Sequence, residues 1–329
     1  MPVGFRYVYG PVPSRRLGRS LGIDLVPFKT CTYDCVYCQL GRTTNKTIDR
    51  QEYIPINDVL TELHDKLAVG EAPDYIGLAG SGEPTLNAGI GEMIAGIKEM
   101  TDIPVAVLTN GSLLWMHEVQ DALMAADLVL PSLDAGDTRL FEYVNRPHEA
   151  ISFQRMVDGV AAFTRRFTKE VWLEVFLLGG VTGIPAEVEK MASIATLIQP
   201  ARVQLNTVSR PPVEKFAFLL SPDQMLALKA IFPGEVDIIS EKERDGVRIP
   251  ASYKARDADI LALLGRRPCT PADVAGGLGI HVTEALKHLE ALTCAGKVSM
   301  VFTDGRGFYT ITGHAATSAE ETSLFPGRG

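Results

Sequence analysis

Six times between residues 20 and 232 a short apolar run alternates with a stretch of helical periodicity, and this alternation limits the fold more than any other feature. The apolar runs cover residues 20–26, 75–79, 105–109, 128–131, 171–178 and 202–206. The helical stretches cover residues 56–69, 88–100, 115–126, 153–166, 186–198 and 221–232. Strands alternating with helices join by right-handed crossovers into a parallel sheet, the α/β class. The runs are nearly continuous in apolar residues, as expected of strands covered on both faces. Ligands of such sheets gather beyond the C-terminal strand ends, so the loops after each run are where chemistry belongs. Periodicity leaves open whether the sheet closes. Ahead of the first run, residues 5–19 hold Gly10, Pro11, Pro13 and Gly18, which argue for an irregular segment. Arg15, Arg16 and Arg19 there suit a carboxylate or phosphate, or form a solvated basic loop.

Cys31, Cys35 and Cys38 follow the first run with the spacing C-x3-C-x2-C. Thiolates this close can converge on one metal centre. An all-cysteine zinc site takes four ligands, usually as two C-x2-C pairs. Here the remaining cysteines, Cys269 and Cys294, lie far downstream. Three thiolates suit a four-iron cluster with one iron open to a ligand. A zinc knuckle with a distant fourth ligand, or reduced structural thiols, are the alternatives. The other strand ends carry polar groups. Gly80, Ser81, Gly82 and Glu83 follow the second run, where glycines let backbone approach a ligand and Glu83 offers a carboxylate to an ammonium group. Asn110 follows the third run, Ser132 and Asp134 the fourth, and Asn206 ends the sixth. These groups can bond hydroxyls or a carboxylate; helix capping is the competing role. Glu174 lies inside the fifth run, where it faces a pocket or solvent, because an unpaired buried charge is costly. Arg210 reads as a substrate anchor or a surface residue.

The cysteine spacing, with aromatic Tyr37 just before the third cysteine, resembles the radical S-adenosylmethionine (SAM) enzymes. The resemblance implies a partial (β/α)6 barrel, with a [4Fe-4S] cluster on Cys31, Cys35 and Cys38 and SAM on the open iron. It places Tyr37 near the adenine and Gly80, Gly82 and Glu83 at the amino group. Asn110, Ser132 and Asp134 fall where family members touch the methionine carboxylate or ribose, and Asn206 where cofactor contact is expected. A one-electron donor such as flavodoxin or ferredoxin is implied as partner. The run from Gly10 to Cys38 resembles the branch that contains the 4-demethylwyosine synthases. Those enzymes carry further cysteines for a second cluster, which this N-terminal region lacks. The function expected is reductive cleavage of SAM to a 5'-deoxyadenosyl radical that takes hydrogen from an unidentified substrate, RNA or protein. The alternative is a redox-sensing iron–sulfur regulator that binds DNA.

The rest of the chain sets limits. Its 329 residues are long enough for one large domain and a small one. The expected division is residues 1–245 for the core, 246–256 for a linker, 257–314 for a second domain and 315–329 for a loose tail. Helical patterns over residues 258–264, 270–278 and 282–295, then a hairpin around Thr303, Asp304 and Gly305, read as a winged helix-turn-helix. Its third helix balances Lys287 and His288 against Glu284 and Glu290, so DNA reading is not expected of it. The net charge of -8 argues against a protein that coats nucleic acid. The sequence shows no secretory leader and no membrane-spanning run, and the clustered thiols suit a reducing compartment, so the cytoplasm is expected.

Overall fold

The computed structural model describes residues 6–68, 72–239, 257–303 and 305–312. It opens with a hairpin, β1 (Val8–Ser14) and β2 (Gly18–Ile23), followed by a two-residue parallel pair, β3 (Thr30–Cys31) and β4 (Asn45–Lys46). Then come α1 (Ile56–Ala68), β5 (Tyr75–Leu78), α2 (Ile90–Met100), β6 (Val105–Thr109), α3 (His117–Leu123) and β7 (Leu128–Pro131). Next are α4 (Thr138–Val144), α5 (Phe153–Arg166), β8 (Glu170–Leu177), α6 (Pro185–Ile198), β9 (Arg202–Thr207), α7 (Pro222–Lys229) and β10 (Val236–Ile238). The C-terminal unit holds α8 (Asp257–Leu264), α9 (Pro271–Leu278), α10 (Val282–Cys294) and the antiparallel pair β11 (Val298–Thr303) and β12 (Arg306–Ile311). Among the described residues no helix is long and apolar enough to cross a membrane.

One sheet of eight strands, in the order β1-β2-β5-β6-β7-β8-β9-β10, forms the core; it is parallel except for β1. Val171, Leu173, Val175 and Leu177 of β8 are buried in the main hydrophobic cluster with the helices. Trp172 instead joins Leu17, Ala106, Leu128 and Leu130 in a cluster of its own. By the two-residue period of a strand, Glu174 and Phe176 share the face of Trp172. Strands β2 and β8 stand four places apart, about 19 Å in a flat sheet. Arg16, in the β1–β2 turn, nevertheless reaches Glu174 on β8. The sheet therefore curls around Leu17 and Arg16, and among the described residues no strand pairing joins β1 to β10.

Three strands or α-helices longer than two residues have no counterpart in the sequence reading. The stretch before the first run is not irregular: β1 pairs with β2, with one extra residue on β1 between Tyr9 and Val12. Pro11 lies in that bulge and β1 is an edge strand, so a missing N–H is tolerated there. The bulge also turns Val8 into the main core and Val12 into a second core. The other two are α4, two turns long, and β10, three residues long; both are too short for periodicity to register. The expected helix over 115–126 is shorter, His117–Leu123.

The second core belongs to the C-terminal unit: Ile260, Leu263, Leu264, Val274, Leu289, Leu292 and Val298 pack together, joined by Val12 from β1. Thr270 caps α9 with Pro271 at its first position, as the sequence implies, and Asp273 completes the capping box. Cys269 is fully buried, and its backbone exchanges hydrogen bonds of 2.9 and 2.7 Å with Tyr309. The expected linker, 246–256, the tail, 315–329, and Asp304 of the hairpin turn lie outside the described residues.

Candidate metal and ligand site

The cysteine loop leaves the C-terminal side of β2. Lys29, one residue before β3, holds a left-handed backbone (φ 59°) that costs a non-glycine residue on the order of 1 kcal/mol. The conformation buries the lysine and brings its Nζ to 3.1 Å from Cys38 Sγ. The other two sulfurs also receive an N–H. Asn110 Nδ2, just past β6, lies 3.6 Å from Cys31 Sγ and donates to Thr32 Oγ1 at 2.7 Å. Asn145 Nδ2, at the end of α4, lies 3.5 Å from Cys35 Sγ. Burial, then the negative charge of Glu83, pushes the Cys31 thiol up to about 12. Burial, then Asp134, pushes Cys35 well up. Metal loading must therefore displace protons from both. Among the described residues no group of three or more His, Cys, Asp or Glu side chains is placed to hold a single metal ion. That disfavours a mononuclear zinc site. A cluster that spreads its cysteine ligands over separate irons, with an N–H on each sulfur, fits the three thiols.

The loop after β5 packs directly on the cysteine loop. Lys29 N–H donates to Ser81 O at 2.7 Å, and Glu83 N–H to Thr30 O at 3.1 Å. A Cβ on Gly82 would lie 1.8 Å from Thr30 O, and one on Gly80, whose φ is +112°, 1.9 Å from Asp24 Oδ1. The glycines are thus required by the chain's own carbonyl and carboxylate, a reason the sequence reading did not see. Glu83 is 2% exposed. Its Oε1 accepts from Thr85 N, Thr85 Oγ1 and Thr109 Oγ1 at 3.1, 2.6 and 2.6 Å; among the described residues Oε2 accepts from Asn110 N alone, at 2.8 Å. Burial raises its pKa, and all four donors are neutral. A buried carboxylate beside Cys31 with neutral donors and a free lone pair is suited to an incoming ammonium group.

A second polar chain runs from the cysteines across the sheet. Tyr37 Oη donates to Asp134 Oδ2 at 2.5 Å, and Asn145 Nδ2 to the same oxygen at 2.6 Å. The Tyr37 ring stacks on Phe176, with centroids 3.9 Å apart. Burial pushes the Asp134 carboxyl up to about 6 against these two bonds. Among the described residues, Asn145 Oδ1 and Gln204 Oε1 are buried without a hydrogen-bond partner, and the Phe176 backbone N–H also faces the Asp134 carboxylate. Ser132 is half-buried beside them, bridged through its backbone to Glu174. Glu174 does face the interior, but its partners are the chain's own: the Arg16 guanidinium and Asn206 Nδ2 at 2.9 Å. Asn206 is thereby committed to Glu174 and to Thr207 N–H. Arg210 is neither a substrate anchor nor a surface residue. It is buried and bonds Pro268 O at 3.1 Å and Asp273 at 3.3 Å in the C-terminal unit.

The fold thus joins Cys31, Cys35, Cys38, Tyr37, Glu83, Asn110 and Asp134 through hydrogen bonds and shared neighbours, and leaves Asn206 on the Glu174 side. Sequence reasoning missed Lys29, Asn145 and Asp24. Lys29 was findable from its place beside the triplet; Asn145, 110 residues from Cys35, gave no signal.

Residues 25–193, just over half of the chain, match the family model described as Radical SAM superfamily. The chain is 38% identical over 310 residues to a Brachyspira hyodysenteriae protein named GTPase Obg; the match covers 92% of this chain and 45% of that protein. It is 34% identical over 289 residues to a Helicobacter pylori UPF0026 protein, covering 87% of this chain and 91% of that one. Among solved structures, a radical SAM methyltransferase from Sphaerobacter thermophilus superposes with a TM-score of 0.52 at 15% identity, over 67% of this chain and 66% of that chain, which is a likeness of fold.

Proposed function

The chain belongs to the radical SAM superfamily and to the UPF0026 proteins, and from that premise we propose that Cys31, Cys35 and Cys38 carry its cluster while the loop from Gly80 to Glu83 receives SAM. It is an enzyme, and its cofactors are a [4Fe-4S] cluster and SAM. When bound, these would supply one-electron reductive cleavage of the SAM sulfur–carbon bond, with methionine as the leaving group, for hydrogen abstraction from a substrate. The protein supplies binding, orientation and exclusion of competing reactions. Lys29, Asn110 and Asn145 direct N–H groups at the three sulfurs and stabilise charge there. Glu83 offers the free lone pair of Oε2 to the SAM ammonium, and that cation offsets the cost of its burial. Asp134 and Ser132 provide acceptors toward the ribose, with Tyr37 fixed against Phe176 beside them. The buried Glu83 carboxylate next to Cys31, held by four neutral donors, carries this reading.

The core is read as a partial (β/α)6 barrel and the C-terminal unit as a winged helix-turn-helix. Flavodoxin or ferredoxin is the electron donor proposed, the cytoplasm the location, and RNA or a protein the substrate class. The affiliation with the 4-demethylwyosine synthase branch rests on the run from Gly10 to Cys38. The GTPase name of the Brachyspira relative is not carried over, since this sequence has no G-x-x-x-x-G-K-[S/T] run and spans 45% of that protein. A DNA-binding regulator is disfavoured by α10, whose Lys287 is flanked by Glu284 and Glu290 and whose His288 bonds Asp257.

The test is anaerobic reconstitution with iron and sulfide, then reduction with SAM and detection of 5'-deoxyadenosine by mass spectrometry. Wild type is expected to cleave SAM, and Cys35→Ala to lose both iron and cleavage. A Cys35→Ala protein that kept full iron content and cleaved SAM would show the assignment to be wrong.

A further inference from the structure

The C-terminal unit reaches the loop after β5 through the Asp24 carboxylate. Arg266 lies in the turn after α8. Its Nε donates to Asp24 Oδ2 at 2.7 Å, its Nη2 to Arg6 O at 2.8 Å and its Nη1 to Ala262 O at 2.8 Å. The guanidinium lies over the Tyr9 ring, 4.4 Å from its centroid. Asp24 follows β2, and its other oxygen, Oδ1, accepts the Ser81 N–H at 2.7 Å. The same oxygen fills the space that the absent Cβ of Gly80 leaves. Both partners of the ion pair are largely buried, with side chains 12% and 8% exposed.

The chemistry gives the contact a direction. A buried carboxylate is held ionised by its cation and its hydrogen bonds; without the cation it is left unpaired in a poor solvent for charge. Burial raises the pKa of Asp24, and Arg266 is the first group that opposes this. An ionised Asp24 is a strong acceptor for Ser81 N–H, and Ser81 is part of the turn that sets Gly82 and Glu83 against the cysteine loop. Lys29 N–H on Ser81 O and Glu83 N–H on Thr30 O also hold the turn, so losing Arg266 loosens it without melting it.

We propose that Arg266 is a positioning residue for SAM: through Asp24 and Ser81, the C-terminal unit holds the loop that receives the SAM amine and so sets SAM affinity. The inference rests on the reading of that loop given above.

The experiment uses the full-length protein in two arms. Titration calorimetry measures SAM binding to the reconstituted protein, and hydrogen exchange follows the Ser81 segment in the unloaded protein. Arg266→Met is expected to weaken SAM about tenfold, within the usual range of coupling between sites, to speed exchange at Ser81, and to leave iron content unchanged. The pair Asp24→Asn/Arg266→Met is expected to recover affinity to within about threefold of wild type, because a neutral amide oxygen accepts Ser81 N–H without a counter-charge. General damage to the fold would not be repaired by the second substitution. Should Arg266→Met fail to fold, Arg266→Lys keeps the charge but loses the fork, and an intermediate loss is expected. Wild-type SAM affinity together with wild-type exchange at Ser81, in whichever of the two variants folds, overturns the proposal. Absence of SAM binding by fully loaded wild type would instead overturn the reading of the site; the exchange arm, which needs no cofactor, would still decide whether Arg266 holds the loop.

Discussion

At the scale of single residues, Lys29 is the clearest case of local strain kept for a purpose. Its left-handed backbone is unfavourable for a lysine, yet the side chain it carries is buried with the ammonium against Cys38 Sγ. A cation and an N–H donor beside a ligand sulfur favour the reduced cluster. Lys29→Met is therefore expected to load a cluster whose midpoint potential is lower than in wild type, read by titration with electron paramagnetic resonance; an unchanged potential would refute the role. Lys29→Gly should lower the potential too, yet be more stable than Lys29→Met by about 1 kcal/mol, since glycine tolerates the backbone. Asp134 gives a pH dependence. Its carboxyl is pushed up to about 6 from 3.8, so the folded protein binds a proton that the unfolded chain releases between those values. Stability thus falls as pH rises from about 4 to 6, by on the order of 3 kcal/mol from this group, and the loss persists above pH 6. In the cluster-free protein, urea denaturation at pH 4.5 and 7 should show a smaller difference for Asp134→Asn than for wild type. Equal differences would remove Asp134 as the cause.

At the scale of elements, the site is made where two loops touch, and glycine decides how closely. Gly82 has Thr30 O where its Cβ would be, whereas Gly41, with φ +87°, has nothing within 4 Å. Alanine at Gly41 bears only the backbone strain, about 1 to 3 kcal/mol. Alanine at Gly82, whose backbone is not left-handed, must instead push the carbonyl that precedes Cys31. Gly82→Ala is therefore expected to lower the melting temperature more than Gly41→Ala and to reduce iron uptake, which Gly41→Ala should leave alone. The reverse order would mean that the loops are not in the contact described. The β1 bulge works at the same scale: one inserted residue lets a single edge strand serve two hydrophobic cores, with Val8 in one and Val12 in the other.

At the scale of the molecule, the core and the C-terminal unit are joined by Val12, by Arg266 on Asp24 and by Arg210 on Pro268 and Asp273. Arg210→Met leaves Asp273, partly buried, with Arg267 as its remaining cation and is expected to destabilise the protein by about 1 to 2 kcal/mol in chemical denaturation. No loss of stability would show the pair to be dispensable. The sequence by itself determined the six strand–helix units, because burial on both strand faces writes continuous apolar runs. It made the three cysteines and Glu83 legible as candidates, because a cysteine triplet and a glycine turn at strand ends are local patterns. It could not place Arg16 on Glu174, Arg210 on Asp273 or Arg266 on Asp24, pairs separated by 158, 63 and 242 residues. Only the tertiary structure decided those. A charge finds its partner through the curl of the sheet and the docking of the second core, whereas periodicity records only which face of an element is buried.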